Sequence, residues 1–384
     1  MNDRYLIPSL LTDLPRKMVL LTGPRQVGKT TLAKQLGDHF ERPVFLNYDV
    51  AEQAHRIERM SWLPSSDYVL LDELHKMPQW KNYLKGVYDG RPADQALFVT
   101  GSARLDTFRQ TGDSLAGRYF SYRLHPYSVK ELTAHAGISP VVALDRLLRF
   151  GGFPEPLFAG TDADHIRWQN QYFSDFLRED ILEFGRIHEL RSMRLLVEML
   201  RSRTGSPLSY LSLARDLNLS PITVRRYVEI LEALHIVFVV TPYHRNIARA
   251  LSKAPKLYFY DWTYIQNNPA ASFENLVAIH LRKHLDFLND TQGWQSQLHY
   301  VQTTSGKEVD FVVASGSGEL IGAVEVKWGD SKPSYSLREL AQQLPDLKAV
   351  QLVYQMTTPY KVDVTDAQTI EVHPAAAWLA SLSA

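Results

Sequence analysis

The residues with the clearest chemical meaning lie near the start of the chain. Gly23-Pro24-Arg25-Gln26-Val27-Gly28-Lys29-Thr30 fits G-x-x-x-x-G-K-[ST] at every fixed position. The apolar run Met18–Thr22 precedes it and Thr31-Leu32-Ala33-Lys34 follows, which gives the strand–loop–helix setting that the motif needs. Gly23 and Gly28 permit dihedrals that turn successive amides toward phosphate oxygens. Lys29 is expected to reach the β- and γ-phosphates, and Thr30 to place its hydroxyl on Mg2+. The expected contact set for ATP is Gly23, Pro24, Arg25, Gln26, Val27, Gly28, Lys29, Thr30 and Thr31.

A second acidic element completes such a site. The run Tyr68-Val69-Leu70-Leu71 ends in Asp72-Glu73. Asp72 is placed to hold Mg2+, and Glu73 to orient or deprotonate an attacking water. The run 96–102 ends in polar Thr100 and Ser102, and a strand inserted between the two phosphate-site strands often carries a residue that contacts the γ-phosphate or the water. Ser102 is the preferred candidate, a plain strand-end cap being the alternative. Arg118 stands before the next strand, where ring-forming ATPases place an arginine that enters a neighbour's site. A homo-oligomer built through Arg118 is therefore expected, against the simpler reading of a solvated arginine. Gly112-Asp113-Ser114-Leu115 imitates an esterase motif but falls inside the nucleotide region.

Late in the chain, residues 307–328 read as a β-hairpin around an SGSG turn. With the turn centred on Ser317-Gly318, Asp310 lies opposite Glu325 and Glu308 opposite Lys327. Cross-strand partners sit within about 5.5 Å at Cβ and share a face. Asp310…Glu325-Val326-Lys327 resembles the PD-(D/E)xK nuclease signature, with Val309 where that signature has proline. Glu274, in a preceding helix, matches the acid that often completes the metal site. The resemblance implies Mg2+ or Mn2+ on Glu274, Asp310 and Glu325, with Asp310, Glu325 and Lys327 catalytic. A cross-strand Glu308–Lys327 salt bridge beside two solvated acids is the plainer alternative. His280 and His284 are spaced i,i+4 but lack the H-E-x-x-H glutamate, so packing is expected of them rather than zinc.

Between these regions, Leu211–Leu217 reads as a helix and Asn218–Ser220 as a turn. Ser220 caps a second helix that opens at Pro221. Val224, Val228 and Leu231 fall on one face, while Arg225 and Arg226 fall near the exposed start, where a recognition helix meets a major groove. Residues 201–256 hold nine Lys/Arg against three acids. That local excess points to DNA contact through Arg225 and Arg226, although winged helices also serve as protein-contact modules.

Around these residues the chain alternates short apolar runs with amphipathic stretches from 18 to 125, the pattern of a doubly wound parallel sheet. A helical stretch follows, broken by Gly151-Gly152-Phe153-Pro154-Glu155-Pro156. The expected division is 1–135, a nucleotide core; 136–200, a helical lid-like segment; 201–260, a winged helix; and 261–384, an α/β nuclease-like domain. The expected fold class is thus α/β: an AAA+-like P-loop NTPase sheet with a helical segment, a winged helix and a PD-(D/E)xK-like domain. The chain has 384 residues, more than one ordinary domain holds. Lys+Arg and Asp+Glu both number 42, so any nucleic-acid surface must be a local patch. The absence of cysteine excludes disulfides, thiolate zinc and cysteine nucleophiles. No apolar run suits a signal peptide or a bilayer span, so no membrane association and a cytoplasmic setting are expected.

GPRQVGKTTL, LLDELHKMPQW, TGSARL, SLAGR with RLHPYSVKEL, FGGFPEP and LREDI, taken in this order, resemble the bacterial and archaeal AAA-type ATPases that carry a C-terminal DUF4143 domain. The likeness runs over almost the whole chain. It implies the architecture more than a role, and two readings follow. One is an ATP-hydrolysing protein acting on nucleic acid, with a metal-dependent nuclease centre. The other is a nucleotide-switched regulatory protein whose nuclease-like fold is a scaffold. A small-molecule kinase is disfavoured, because Asp72-Glu73 suits water activation. Arg149 is a bare candidate for a lid arginine.

Overall fold

The computed structural model describes residues 4–62, 65–101, 115–175, 190–244, 254–265, 267–302 and 307–384. The chain divides into two compact units. The first comprises the residues up to Pro126 with Ala233–His235; the second comprises Tyr127–Glu232 and Ile236–Ala384.

The first unit runs α1 (Ile7–Asp13), β1 (Met18–Thr22), α2 (Lys29–Gly37), β2 (Pro43–Asn47), α3 (Ala51–Glu58), β3 (Tyr68–Asp72), α4 (Trp80–Gly90), β4 (Ala96–Thr100) and β5 (Tyr119–Arg123). Its five strands stand in the order β2-β3-β4-β1-β5, and every neighbouring pair is parallel. β1, β3 and β4 are buried along their whole length, which is why their sequences are unbroken apolar runs rather than alternating ones. One core layer gathers Leu20, Leu46, Ile57, Val69, Leu71, Leu84, Val87 and Val99 beneath α3 and α4. β4 lies between β1 and β3, as the sequence predicts. The carboxyl ends of β1, β3 and β4 therefore converge, and they carry the phosphate loop, Asp72 and Thr100.

The second unit opens with helices α5 (Val129–Ala136), α6 (Pro140–Phe150), α7 (Pro154–Ala159), α8 (Asp162–Asp175) and α9 (Leu190–Arg201). α10 (Tyr210–Leu217), α11 (Pro221–Ala233) and the antiparallel pair β6 (Val237–Pro242) and β7 (Lys256–Phe259) follow. Ser220 Oγ accepts from Thr223 N at 3.1 Å, so the expected cap is formed, and Val224, Val228 and Leu231 are buried on the inner face. The rest is α12 (Pro269–Gln292), β8 (Gln297–Gln302), β9 (Glu308–Ala314), β10 (Leu320–Lys327), α13 (Tyr335–Gln343), β11 (Lys348–Val353), β12 (Tyr360–Thr365), β13 (Gln368–Pro374) and α14 (Ala375–Ala380). Eight strands form one mixed sheet, β12-β13-β11-β10-β9-β8-β6-β7. β6 pairs with β8 through Thr241 and Pro242, so the β6–β7 pair after α11 and the C-terminal strands share a sheet. The β9–β10 register aligns Phe311 with Val324 and Val312 with Ala323, the register expected from the turn.

The Gly151 turn is set by a residue far along the chain. Gly151 has φ +75°, and a Cβ there would lie 2.8 Å from Asp261 Oδ1. Asp261 in turn accepts from Thr263 N at 3.1 Å and Thr263 Oγ1 at 2.7 Å. No helix among the described residues is long and apolar enough to cross a membrane.

Candidate functional site

The phosphate loop adopts the backbone its glycines allow. Gly23 has φ +142°, and a Cβ on it would fall 2.3 Å from the Leu124 carbonyl oxygen. Gln26 and Gly28 also have positive φ, 58° and 99°, and α2 starts directly after Gly28. The first-turn N–H groups of Lys29, Thr30 and Thr31 have no intrahelical partner, which makes this end of α2 a natural anion seat. Lys29 Nζ donates to the carbonyls of Gly23 at 2.9 Å and Pro24 at 2.7 Å, which holds the ammonium within the loop. Pro24 and Val27 are buried and Arg25, Gln26 and Thr31 are exposed.

Asp72 is the hub that the loop faces. It is buried, and its Oδ2 accepts from Thr30 Oγ1 at 2.8 Å and from Asn47 Nδ2 at 3.3 Å. Its Oδ1 accepts from Thr100 Oγ1 and, at 3.1 Å, from Glu73 N. The hydroxyl and the carboxylate expected to share Mg2+ are thus already in contact, and their donor chemistry fits that ion. Thr100 is the polar residue of β4 that reaches Asp72; Ser102 lies outside the described residues. Asn47 was not singled out from sequence. The only signal for it is its place at the end of β2, in register with Asp72.

Glu73 has φ +56°, a left-handed backbone that swings its side chain off the strand. Burial, followed by the negative charge of Asp72, raises its carboxyl above the usual range, while Lys29 and Lys76 pull it down. His75 Nδ1 stands 3.6 Å from Glu73 Oε2. Arg118 stands before β5, at the amino-terminal edge of the sheet, and pairs with Asp89 of its own chain through Nε at 2.8 Å and Nη2 at 3.0 Å. The Asp89 carboxyl is held low by that hydrogen bond.

In the second unit, Asp310, Glu325 and Lys327 of the β9–β10 pair and Glu274 of α12 lie near one another, with a partner that sequence reading missed. Lys256 of β7 is buried, contacts Glu308 Oε1, and stands 3.7 Å from Glu274 Oε1. Burial alone would lower this ammonium; Glu274, Asp310 and Glu308 together raise it. Glu274 accepts from Tyr258 Oη at 2.8 Å. Burial and then Asp310 push it up to about 8. The same two causes push Glu325 up to about 7, although Lys327 Nζ lies 2.7 Å from its Oε1. Asp310, raised by burial, accepts from Val326 N at 2.8 Å.

Glu274, Asp310 and Glu325 are the carboxylates expected to hold a metal ion. Among the described residues no group of three or more His, Cys, Asp or Glu side chains is arranged to hold a metal ion. Lys256 and Lys327 stand among these acids, while Asp310 accepts from Val326 N and Glu274 from Tyr258 Oη. In place of the alternative Glu308–Lys327 bridge, Glu308 pairs with Lys256 and Glu325 with Lys327. His280 is a packing residue: it is buried, its Nε2 accepts from Val129 N at 3.0 Å, and burial lowers it to about 3. His284 Nδ1 accepts from Ser383 N at 3.1 Å. Arg225 and Arg226 are exposed on the first turns of α11, with Arg225 Nε 3.3 Å from Glu229. Arg149 pairs with Asp162 at 2.6 Å.

Comparison with known proteins agrees with this anatomy. Residues 15–133 match the AAA domain, 142–264 a domain of unknown function (DUF8612), and 270–376 a domain of unknown function (DUF4143). An uncharacterized protein of Mycobacterium tuberculosis is 29% identical over 365 residues, covering 91% of this chain and 78% of its own length. One from Methanocaldococcus jannaschii is 20% identical over 369 residues, covering 87% and 80%. Among solved structures, a Walker-type ATPase of Pyrococcus abyssi is 16% identical, covering 71% of this chain and 94% of its own, with a TM-score of 0.41. With the phosphate loop, Asp72 and the parallel sheet in place, the chain carries an AAA domain ahead of a DUF4143 domain, which is consistent with an AAA-type P-loop ATPase that has a C-terminal DUF4143 domain.

Proposed function

We propose that this protein binds ATP at Gly23–Thr31 and hydrolyses it with Mg2+. The observation that carries the reading is the Thr30 Oγ1–Asp72 Oδ2 contact at 2.8 Å beside the left-handed Gly28 that opens α2. Thr30 and Asp72 would hold Mg2+, which neutralises phosphate charge when bound. Lys29 and the first amides of α2 bind and orient the phosphates. Glu73 orients the attacking water and accepts its proton, a role that its raised carboxyl suits. Thr100 fixes Asp72 from the neighbouring strand. Arg118 completes the site of an adjacent copy, and its exposed pair with Asp89 must open for that.

Phosphate release and nucleotide binding by the purified chain test this. Lys29→Ala is expected to lose ATP binding, and Glu73→Gln to bind ATP while losing turnover. Hydrolysis by Glu73→Gln at the wild-type rate would refute the assignment of Glu73.

DNA is the partner that α11 favours. The order α9, a single bridge between Pro207 and Lys256, α10, α11 and the antiparallel β6–β7 pair supports a winged-helix reading, with Arg225 and Arg226 exposed. Lys256 and Lys327 each form an ion pair inside the C-terminal cluster, with Glu308 and Glu325. That balance supports a scaffold or binding role for the C-terminal cluster.

A further inference from the structure

The back of the phosphate loop is held by a residue that no motif includes. Arg4 is 4% exposed. Its Nη1 donates to the Val27 carbonyl at 3.0 Å and its Nη2 to the His125 carbonyl at 2.5 Å. His125 follows Leu124, whose carbonyl closes against Gly23, so the segment leaving β5 and the guanidinium together frame the loop. Arg4 is itself anchored. Its carbonyl accepts from Ile7 N at 3.1 Å, and Leu6, Ile7 and Leu10 are buried beside it.

The Val27 carbonyl and the Gly28 N–H belong to one peptide unit. A charged donor on the oxygen of a peptide polarises it, so that its N–H becomes a stronger donor. Gly28, at φ 99°, stands at the turn from loop to α2, where the backbone N–H groups of such a loop cradle phosphate oxygens. We propose that Arg4 is a positioning residue for the nucleotide's diphosphate, acting through the 27–28 peptide: guanidinium on the carbonyl side, β-phosphate on the amide side. The proposal rests on the nucleotide reading above. Lysine cannot reproduce it, since an ammonium lacks the rigid fork that spans two carbonyls.

The test uses the full chain and its Arg4→Gln and Arg4→Lys variants, with glycine labelled by 15N. ADP affinity is measured by calorimetry, with the melting temperature of the nucleotide-free protein alongside. Arg4→Gln is expected to weaken ADP binding by roughly tenfold or more and to move the Gly28 amide proton of the ADP complex upfield. Arg4→Lys should fall between, and it provides the same readouts should Arg4→Gln not fold. A purely structural brace would lower the melting temperature and leave the Gly28 signal of the ADP complex in place. ADP affinity within about twofold of wild type with an unmoved Gly28 signal overturns the proposal while the nucleotide reading stands. Wild-type protein that binds no ADP overturns the nucleotide reading, and this proposal with it.

Discussion

Replacing Thr100 by valine separates the role of the strand-borne hydroxyl from that of the loop. Thr100 is fully buried, and its hydroxyl donates to Asp72 Oδ1. Valine keeps the shape and removes the donor, leaving that oxygen with only Glu73 N at 3.1 Å. A hydrogen bond to a charged group contributes about 1.5–3 kcal/mol. If Asp72 needs that bond most when charge develops on the transferred phosphate, the loss appears in kcat as a factor of roughly 10 to 150. KM should move little, because the loop amides and Lys29 that bind ground-state ATP do not touch Thr100. The assay is steady-state phosphate release with Mg2+, accompanied by urea unfolding. Thr100→Ser restores the donor and should recover most of the rate. Unchanged kcat and unchanged stability in Thr100→Val would refute the reasoning. So would an equal loss in Thr100→Ser.

Three further outcomes are expected. Gly151→Ala should destabilise the second unit by about 1–3 kcal/mol, since φ +75° is costly for alanine and its Cβ would press 2.8 Å from Asp261 Oδ1; an unshifted urea midpoint would contradict this. Glu274 has a folded pKa near 8 against an ordinary 4.5. A raised carboxyl gives stability that is full below the ordinary value and is lost as pH rises through the folded one. Glu274→Gln should therefore gain on wild type between pH 5 and pH 9, and a gap in urea midpoint that stays constant with pH would count against the burial argument. Finally, Arg225→Ala with Arg226→Ala should weaken duplex DNA binding and lower the slope of log affinity against log salt by up to roughly 2. An unaltered slope would move the contact elsewhere.

Much of the nucleotide site is legible in the chain because its chemistry is local. Gly23, Gly28, Lys29 and Thr30 are fixed by a loop between one strand and one helix, and the apolar run ending at Asp72 marks its own strand. Local rules likewise reach the Ser220 cap and the β9–β10 register, where the turn decides which side chains face each other. They mark Thr100 only as one of two polar residues at a strand end, and they do not reach Asn47 or Arg4, since each meets its partner across strands or segments far apart in sequence: Asn47 and Thr100 at Asp72, Arg4 at Val27 and His125. The C-terminal cluster shows the same division. The spacing of Asp310, Glu325 and Lys327 determined that they would meet; folding decided that Lys256, from a different strand of the same sheet, would stand among the acids. A buried ammonium changes what three carboxylates can hold, and only long-range packing could place it there.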